Sequence, residues 1–278
     1  MGLLFKNNDF KTDYKKRPFD GYKATLDKLD EETKKKLDRQ RTIGMACIVG
    51  VVVLLILVLY VTGIGVDKTQ SVSGNVFVDK ESVLIECFGD SLTEGSTDFS
   101  KDSIASVTYP KELEAKLPGL FADDGREYKF RNLTVKNYGQ AATILQENSC
   151  SRLSGTADIV LILYTLNNFL DGGEYVGTLE ANIDTIQKAG SQVFLLNYPL
   201  ASGSSFEDKI SQANNYIAST AKSLNVELID LQAYFSSLQD HDPEEIFSGD
   251  GVHLTEEGYI LMGDYIADVL HEYYFEMD

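Results

Sequence analysis

Between residues 82 and 275, short apolar runs alternate with longer amphipathic ones, and this alternation restricts the possible folds more than any other feature of the chain. Strands that are joined by helices pair in parallel, and a parallel sheet needs helices on both of its faces. The pattern therefore predicts an α/β domain, a three-layer α/β/α sandwich around a five-stranded parallel sheet. The short runs are predicted strands at 83–88, 132–137, 158–164, 192–198 and 226–230. The longer runs are predicted helices near 106–117, 140–149, 175–189, 206–224 and 256–274.

A second feature precedes this domain. Residues 43–64 form an uninterrupted run of 22 uncharged, mostly apolar residues. As a helix this run would be roughly 33 Å long, which matches the hydrocarbon core of a bilayer, so it is predicted to be a transmembrane helix. A buried core helix is one alternative, but such helices seldom lack a polar face over this length. A cleaved signal peptide is the other, and the 42-residue polar leader and the missing small-residue cleavage site disfavour it.

Basic residues flank only the amino-terminal side of this run. Lys34, Lys35, Lys36, Arg39 and Arg41 precede it, whereas Lys68 alone follows closely. The positive-inside rule predicts a single-pass protein of the plasma membrane with its amino terminus in the cytoplasm. The predicted organisation is a cytoplasmic leader with a juxtamembrane helix (1–42), the transmembrane helix (43–64), a linker (65–81) and an extracytoplasmic domain (82–278). The basic end of the leader is predicted to contact lipid headgroups, and binding of a protein partner is the alternative.

Charge divides the chain in the same way. Residues 1–42 carry 12 basic and 8 acidic residues, a net charge of +4, while the remainder carries 13 and 35, a net charge of −22. An acidic domain of this kind disfavours binding to nucleic acid or to an anionic membrane surface. We therefore expect no nucleic-acid partner.

The three cysteines do not form a motif. Cys47 falls in the predicted membrane span, Cys87 in the first predicted strand and Cys150 after the second. An odd number without close spacing predicts neither a disulfide framework nor a metal site. Cys87 is predicted to be a small core residue, and a Cys87–Cys150 bridge is the alternative.

Two short motifs indicate chemistry. Gly89-Asp90-Ser91-Leu92 follows the first predicted strand, which would present the Ser91 hydroxyl on a tight turn at the carboxyl edge of the sheet. Asp250-Gly251-Val252-His253 places a carboxylate and an imidazole three residues apart, where the aspartate can orient the ring. Serine, histidine and aspartate can act as nucleophile, base and orienting group. The alternative for Ser91 and for Asp250 is that each only caps a helix.

These motifs resemble two of the four ordered blocks of the GDSL/SGNH hydrolase family. The second block is similar to Asn137-Tyr138-Gly139 and the third to Thr165-Leu166-Asn167-Asn168, so the resemblance spans about residues 82–275. The third block departs from the family pattern at Thr165 and Asn168, where the family has glycine and aspartate. These departures are expected to affect the turn and the rim of the site. Ala142 stands where the family often has glycine.

The resemblance implies a flavodoxin-like SGNH fold and a set of roles. Ser91, His253 and Asp250 would be the catalytic residues, and Gly89 and Asp90 would support the turn. The backbone N–H groups of Ser91 and Gly139 and the side-chain amide of Asn167 would form the oxyanion hole. Alternatively, Gly139 would only end a strand and Asn167 would only brace a loop. This chemistry requires no metal and no organic cofactor.

The function predicted from these residues is a serine hydrolase that cleaves an ester through an acyl-enzyme. A short acyl group, such as O-acetyl on an extracellular carbohydrate or cell-wall polymer, is the expected substrate. Lysophospholipases, thioesterases and O-acyltransferases of the same family are alternatives. A catalytically degenerate module that binds a glycan or a protein partner is the alternative of another class.

Overall fold

The computed structural model describes residues 33, 35, 74–100, 103–140, 150–170, 178–201, 203–238 and 240–277. Contacts divide the chain into two units, Met1–Asp67 and Lys68–Asp278. The predicted transmembrane segment 43–64 lies outside the described residues. Within the part that is described, no helix combines the length and the apolar character needed to span a membrane.

The second unit is built on five strands: β1 (Ser82–Gly89), β2 (Asn132–Gly139), β3 (Ile159–Leu163), β4 (Gln192–Leu196) and β5 (Glu227–Ile229). They form a parallel sheet in the order β2-β1-β3-β4-β5. This confirms the predicted α/β fold with a five-stranded parallel sheet. The chain reverses its direction of winding between β1 and β3, and in open α/β sheets ligands bind at the carboxyl ends of such neighbours.

Nine α-helices lie in the described part of this unit, most of them between strands. They are α1 (Val76–Asp79), α2 (Ser91–Glu94), α3 (Tyr109–Asp123), α4 (Leu166–Leu170), α5 (Thr178–Lys188), α6 (Glu207–Leu224), α7 (Leu231–Ser237), α8 (Pro243–Ile246) and α9 (Glu256–Glu276). One 3₁₀ turn spans Cys150–Arg152. Residues 141–149, where a helix was predicted, are not described.

Helices cover both faces of the sheet. Helices α3 and α9 pack against each other on one face, where the Phe194 ring of β4 meets Tyr273 of α9 at 5.0 Å between centroids. Helix α5 packs on β4 from the other face, and all five residues of β3 are buried between the two layers. Because both faces exclude water, β3 is a continuous apolar run rather than an alternating one.

Helix α3 differs most from its predicted bounds. It was predicted near 106–117, but it begins at Tyr109, after the N-cap Thr108, continues through Pro118 and ends at Asp123. Leu117 and Phe121 are one turn apart and both are buried. Their burial against the core outweighs the backbone hydrogen bond that proline cannot donate.

The folded unit also begins before the predicted boundary at residue 82. Phe77 is completely buried, and its ring stacks on Phe121 at 4.1 Å and meets the edges of Phe130 and Tyr274 at 5.1 Å. Asn75 caps α1 and donates from its side chain to the Tyr274 carbonyl. Residues 75–80, which were assigned to the linker, therefore belong to the domain, because they cover the core at the end of the sheet where the strands begin.

The described cysteines are not bridged. Cys87 is completely buried and Cys150 is partly buried, and both are free thiols. Burial raises the pKa of the Cys87 thiol far above its usual range. Cys87 is therefore the small core residue that was predicted, and the bridged alternative is wrong.

Candidate active site

Ser91 is the first residue of α2, directly after the turn that ends β1. Asp90 is the N-cap of this helix, and its Oδ1 accepts from the Leu92 N–H at 3.1 Å. A Cβ on Gly89 would lie 2.4 Å from the Leu163 carbonyl oxygen and 1.9 Å from Thr93 Oγ1. Only glycine therefore allows β1 and β3 to approach this closely where the chain turns to present Ser91.

His253 bridges the serine and the aspartate. Its Nε2 lies 2.9 Å from Ser91 Oγ, and its Nδ1 lies 2.7 Å from Asp250 Oδ2. The His253 side chain is 2% exposed, so bulk water does not compete for either contact. If Nδ1 carries the proton toward the carboxylate, Nε2 is the acceptor for the serine hydroxyl proton.

Asp250 is held by donors on its other oxygen. Its Oδ1 accepts from the Ser248 hydroxyl at 2.8 Å and from the Val252 and His253 N–H groups at 2.9 Å each. Burial alone would raise the pKa of Asp250, but these donors and the His253 ring outweigh it and lower the pKa below its usual value. Asp250 thus shapes the turn that carries His253 and also faces the ring, whereas Thr255 is the N-cap of the helix that follows, so the alternative that Asp250 only caps a helix is wrong.

Two donors without acceptors follow the neighbouring strands β1 and β3. The Nδ2 of Asn167, on α4 just after β3, is buried and has no hydrogen-bond partner. The N–H of Ser91 has no acceptor among the described residues, as expected in the first turn of a helix. That these two groups face an oxyanion stays a prediction.

The third predicted donor, Gly139, is engaged elsewhere. Its N–H donates to Asn137 Oδ1 at 2.8 Å, and the next N–H, that of Gln140, donates to the Gly89 carbonyl at 3.1 Å. Asn137 in turn donates to the Thr93 carbonyl at 2.8 Å. The prediction that the Gly139 N–H donates to an oxyanion therefore needs correction, because this N–H already donates to the side chain of Asn137 in the same block. A backbone donor from this connection would have to follow Gln140, outside the described residues.

Gly139 has a different function in the fold. A Cβ at this position would lie 2.0 Å from the Glu94 nitrogen and 2.4 Å from the Thr93 carbonyl carbon. The end of β2 therefore packs directly on the backbone of α2, which is possible only without a side chain. This contact places α2, and with it Ser91, against the sheet.

The departures in the third block lie inside the protein. Thr165 is 4% exposed and Asn168 is 8% exposed, and the Asn168 N–H donates to the Thr165 carbonyl at 3.0 Å. The turn was expected to be affected and it contains both residues, but the expectation that they lie at the rim is wrong. Two side-chain groups of this block, the Thr165 hydroxyl and the Asn167 Nδ2, are buried without a hydrogen-bond partner, and Asn167 is the one that the sequence predicted as an oxyanion donor.

An exposed aromatic side chain borders the site. Phe99 is 58% exposed, and its ring makes an edge-to-face contact with the His253 ring, with 4.9 Å between the centroids and 83° between the planes. The ring of Phe206 lies 5.8 Å from that of Phe99. The sequence analysis did not identify Phe99, because a phenylalanine in a connection carries no motif.

A buried tyrosine lies behind the nucleophile turn. The hydroxyl of Tyr198 donates to Asp90 Oδ2 at 2.6 Å and accepts from the Leu166 N–H at 3.0 Å. Burial raises the pKa of Asp90 to about 6, although the Tyr198 hydroxyl and the Leu92 N–H act in the opposite direction. Tyr198 was also missed, and its position just after β4 was the signal that could have found it.

The arrangement defines a class of protein. At the carboxyl edge of a parallel sheet, a serine is hydrogen-bonded to a histidine and the histidine to an aspartate. An α/β domain with this arrangement is built like a serine hydrolase. The described residues contain no group of three or more histidine, cysteine or acidic side chains that could hold a metal ion.

Sequence comparison gives the family. The chain belongs to the GDSL-like lipase/acylhydrolase family, whose profile matches residues 87–261, and it is a carboxylic ester hydrolase. A search of curated protein sequences found no match.

Solved structures share the fold. The lipase/acylhydrolase from Enterococcus faecalis is 23% identical, covers 69% of this chain and 96% of its own, and has a TM-score of 0.52. LAE5, an α/β hydrolase from the metagenome of Lake Arreo, is 16% identical over 71% of this chain and 98% of its own, with a TM-score of 0.53. Axe2, an acetylxylan esterase from Geobacillus stearothermophilus, is 15% identical over 71% and 96%, with a TM-score of 0.51. At these identities the likeness establishes the fold.

Proposed function

We propose that the chain is a membrane-tethered serine esterase in which Ser91 is the nucleophile, His253 the general base and Asp250 the group that orients His253. Its substrate is a short acyl ester, such as O-acetyl, on an extracellular carbohydrate or cell-wall polymer. The observation that carries this proposal is the continuous contact from Ser91 Oγ to His253 Nε2 and from His253 Nδ1 to Asp250 Oδ2.

Acylation uses each of these contacts. Ser91 Oγ attacks the ester carbonyl carbon while its proton moves to His253 Nε2, and the carbonyl oxygen becomes an oxyanion. The Asn167 amide and the Ser91 N–H donate to that oxyanion. When the intermediate collapses, the bond to the alcohol breaks, and the alcohol leaves with the proton from Nε2. The acyl group is then bonded to Ser91 Oγ.

Deacylation reverses the roles. A water molecule attacks the acyl carbon and gives its proton to His253 Nε2, and the second intermediate expels Ser91 Oγ, which takes that proton back. The acid leaves and the enzyme is regenerated. Throughout, the lowered pKa of Asp250 keeps a negative charge beside the ring that becomes positive.

The surroundings of the site support a small acyl group on a polar scaffold. Phe99 offers an exposed ring face beside His253, and aromatic faces pack well on sugar rings as well as on short acyl groups. An open cleft of about 700 Å³ borders the site on the side of Asp250, and Asp250, Ser204, Ser248 and Thr255 are among the residues that line it. Axe2, which has the same fold, is an acetylxylan esterase.

The membrane anchor is proposed from the sequence. The uncharged run 43–64, with basic residues before it and almost none after, supports a single span with the amino terminus in the cytoplasm. The strongly acidic domain would then stand outside the cell, where acetylated polymers are accessible.

The nucleophile is tested by replacing it. We expect Ser91→Ala to abolish hydrolysis of p-nitrophenyl acetate and labelling by a fluorophosphonate probe, with the thermal unfolding temperature little changed. Ser219→Ala, which removes an exposed hydroxyl on α6, is the matched control and should retain both activities. Labelling that persists in Ser91→Ala would show that a different serine reacts.

The substrate is tested with p-nitrophenyl esters of increasing acyl length, followed by acetylated xylan and acetylated cell-wall polymer. Rapid release of acetyl with a steep fall beyond butyl is the expected result. A preference for long acyl chains would favour a lysophospholipase or thioesterase, and acyl transfer to an added sugar would favour an acyltransferase. Absence of both turnover and labelling in the wild type would favour the binding-module alternative.

A further inference from the structure

Tyr198 connects two segments that both belong to the site. Its hydroxyl donates to Asp90 Oδ2 at 2.6 Å, and Asp90 immediately precedes Ser91. The same oxygen accepts from the N–H of Leu166 at 3.0 Å, and Leu166 immediately precedes Asn167. The buried hydroxyl of Tyr198 is therefore hydrogen-bonded both to the turn that carries Ser91 and to the turn that carries Asn167.

The backbone of Tyr198 is itself fixed. Its N–H donates to Asn214 Oδ1 at 2.7 Å, and its carbonyl accepts from Asn214 Nδ2 at 2.9 Å, so one side chain of α6 holds both polar groups of the residue. Tyr198 and Asn214 are 0% and 4% exposed. The hydroxyl is thus presented from a rigid position, with no water required to complete its hydrogen bonds.

The two turns have few other constraints on their spacing. The Asp90 N–H donates to the Leu163 carbonyl at 3.0 Å, which aligns the ends of β1 and β3 before either turn begins. Beyond that point, Tyr198 supplies the hydrogen bonds that join Asp90 to Leu166 among the described residues. The Asn167 Nδ2 has no partner of its own to fix it.

We propose that Tyr198 is a positioning residue that sets the distance between the Ser91 nucleophile and the Asn167 amide through its bonds to Asp90 and Leu166. The inference rests on the proposed function, since it assigns Tyr198 a role in stabilising the oxyanion. Tyr198 acts through Asn167 and does not touch the reacting atoms.

The chemistry of the pair suits this role. Burial, and then the charge of Asp90, raise the pKa of Tyr198 well above its usual value, so the hydroxyl keeps the proton that it donates. Without the hydroxyl, Asp90 Oδ2 and the Leu166 N–H would both be buried without a partner in the described structure. A buried polar group left in this state draws in water or moves, and either change would displace the Asn167 turn.

The first test is Tyr198→Phe in the full-length protein. We expect kcat for p-nitrophenyl acetate to fall about 10- to 100-fold while KM changes little, because a displacement of about 1 Å at a reacting group costs up to about 100-fold in rate. Tyr274→Phe is the matched control: Tyr274 is equally buried and its hydroxyl has no hydrogen-bond partner. Its kcat should be unchanged. Equal kcat values for Tyr198→Phe and wild type would overturn the proposal.

The second test asks whether the effect passes through Asn167. In a protein that already carries Asn167→Ala, adding Tyr198→Phe should lower kcat by less than about twofold, because groups that act as a unit are not additive. If the two losses multiply, Tyr198 supports the fold in general and the proposal is wrong. Asp90→Asn, which leaves one acceptor oxygen for two donors, should also lower kcat, and it replaces Tyr198→Phe if that variant does not fold.

The proposed function and this inference fail in different ways. If the wild type has no esterase activity, or if Ser91→Ala retains it, the proposed function is wrong. If Ser91→Ala is inactive while Tyr198→Phe matches wild type or multiplies with Asn167→Ala, only the positioning role is wrong.

Discussion

His253 has two hydrogen-bond partners of different chemistry, a carboxylate at Nδ1 and a hydroxyl at Nε2. The hydrogen bonds of the carboxylate decide which of the two ring nitrogens carries the proton. The Oδ2 of Asp250 faces the ring, while its Oδ1 accepts three hydrogen bonds, from the Ser248 hydroxyl and from the N–H groups of Val252 and His253. A neutral amide in place of the carboxylate would have to put its oxygen toward these donors. Its NH₂ group would then face His253 Nδ1, which would place the ring proton on Nε2, where it cannot accept from Ser91.

This argument predicts unequal losses. Asp250→Asn should lower kcat/KM by about 10⁴-fold, since the ring is held in the wrong tautomer, whereas His253→Ala should lower it by about 10⁶-fold. Steady-state kinetics with p-nitrophenyl acetate measure both. Equal losses would mean that Asp250 does more than orient the ring, and a fully active Asp250→Asn would remove it from the mechanism.

A second prediction at the residue scale concerns Phe99. Phe99→Ala should raise KM for an acetylated oligosaccharide about 10-fold, with a smaller effect on kcat, because the exposed ring borders the site and its removal takes away an apolar surface that the substrate would cover. Phe275→Ala is the control, since Phe275 is also exposed but lies at the carboxyl end of α9. This helix begins three residues after His253 and is about 30 Å long. A loss in kcat alone would indicate that Phe99 orients His253 instead.

At the scale of elements, the site is assembled by the tight packing of strand ends on short helices. The β2 end contacts α2 with no room for a side chain at Gly139, and the β1 end contacts β3 with none at Gly89. These contacts hold α2, which has only four residues and could not persist by its own hydrogen bonds. The position of Ser91 therefore depends on glycines that take no part in the reaction.

Gly139→Ala tests this dependence. The added methyl group overlaps the α2 backbone, so we expect a loss of about 1–3 kcal/mol in the free energy of unfolding and slower labelling of Ser91 by a fluorophosphonate. Gly119→Ala is the matched control, because Gly119 lies in α3 with no heavy atom within 4 Å of an added Cβ. That variant should gain up to about 1 kcal/mol and label normally. Urea unfolding measures both, and a stable, normally labelled Gly139→Ala would contradict the packing argument.

At the scale of the whole molecule, the two ends of the sheet in the unit Lys68–Asp278 have different surroundings. The aromatic cluster around Phe77 and Tyr274 fills the end at which the strands begin, while the residues proposed for catalysis lie where the strands end. Binding and chemistry can therefore vary at one end without disturbing the other. The charge of the chain is distributed unevenly as well, with the acidic excess after residue 42.

The proposed topology predicts how intact cells respond to protease. Protease added outside should remove the domain and spare residues 1–42, since the basic residues precede 43–64. A reporter fused after Asp278 should likewise be active only in its extracellular form. Replacing the basic residues at 34–36 with glutamine is the informative variant, because it should weaken this orientation. A domain protected in intact wild-type cells would contradict the proposed localisation and favour a cytoplasmic thioesterase.

The fold class and the residues proposed for catalysis could both be predicted from the sequence alone. The alternation of apolar runs follows from the burial of a parallel sheet on both faces, and that requirement is local enough to be visible along the chain. Gly89, Asp90 and Ser91, and likewise Asp250 and His253, are close in sequence, so their turns could be recognised as short motifs. Only the tertiary structure decided what depends on distant partners. It brought His253 to Ser91 across 162 residues and paired the Gly139 N–H with the Asn137 side chain. It also continued α3 through Pro118 and placed the Tyr198 hydroxyl between the turns at Asp90 and Leu166. These outcomes depend on which surfaces pack together, and a one-dimensional pattern does not contain that information.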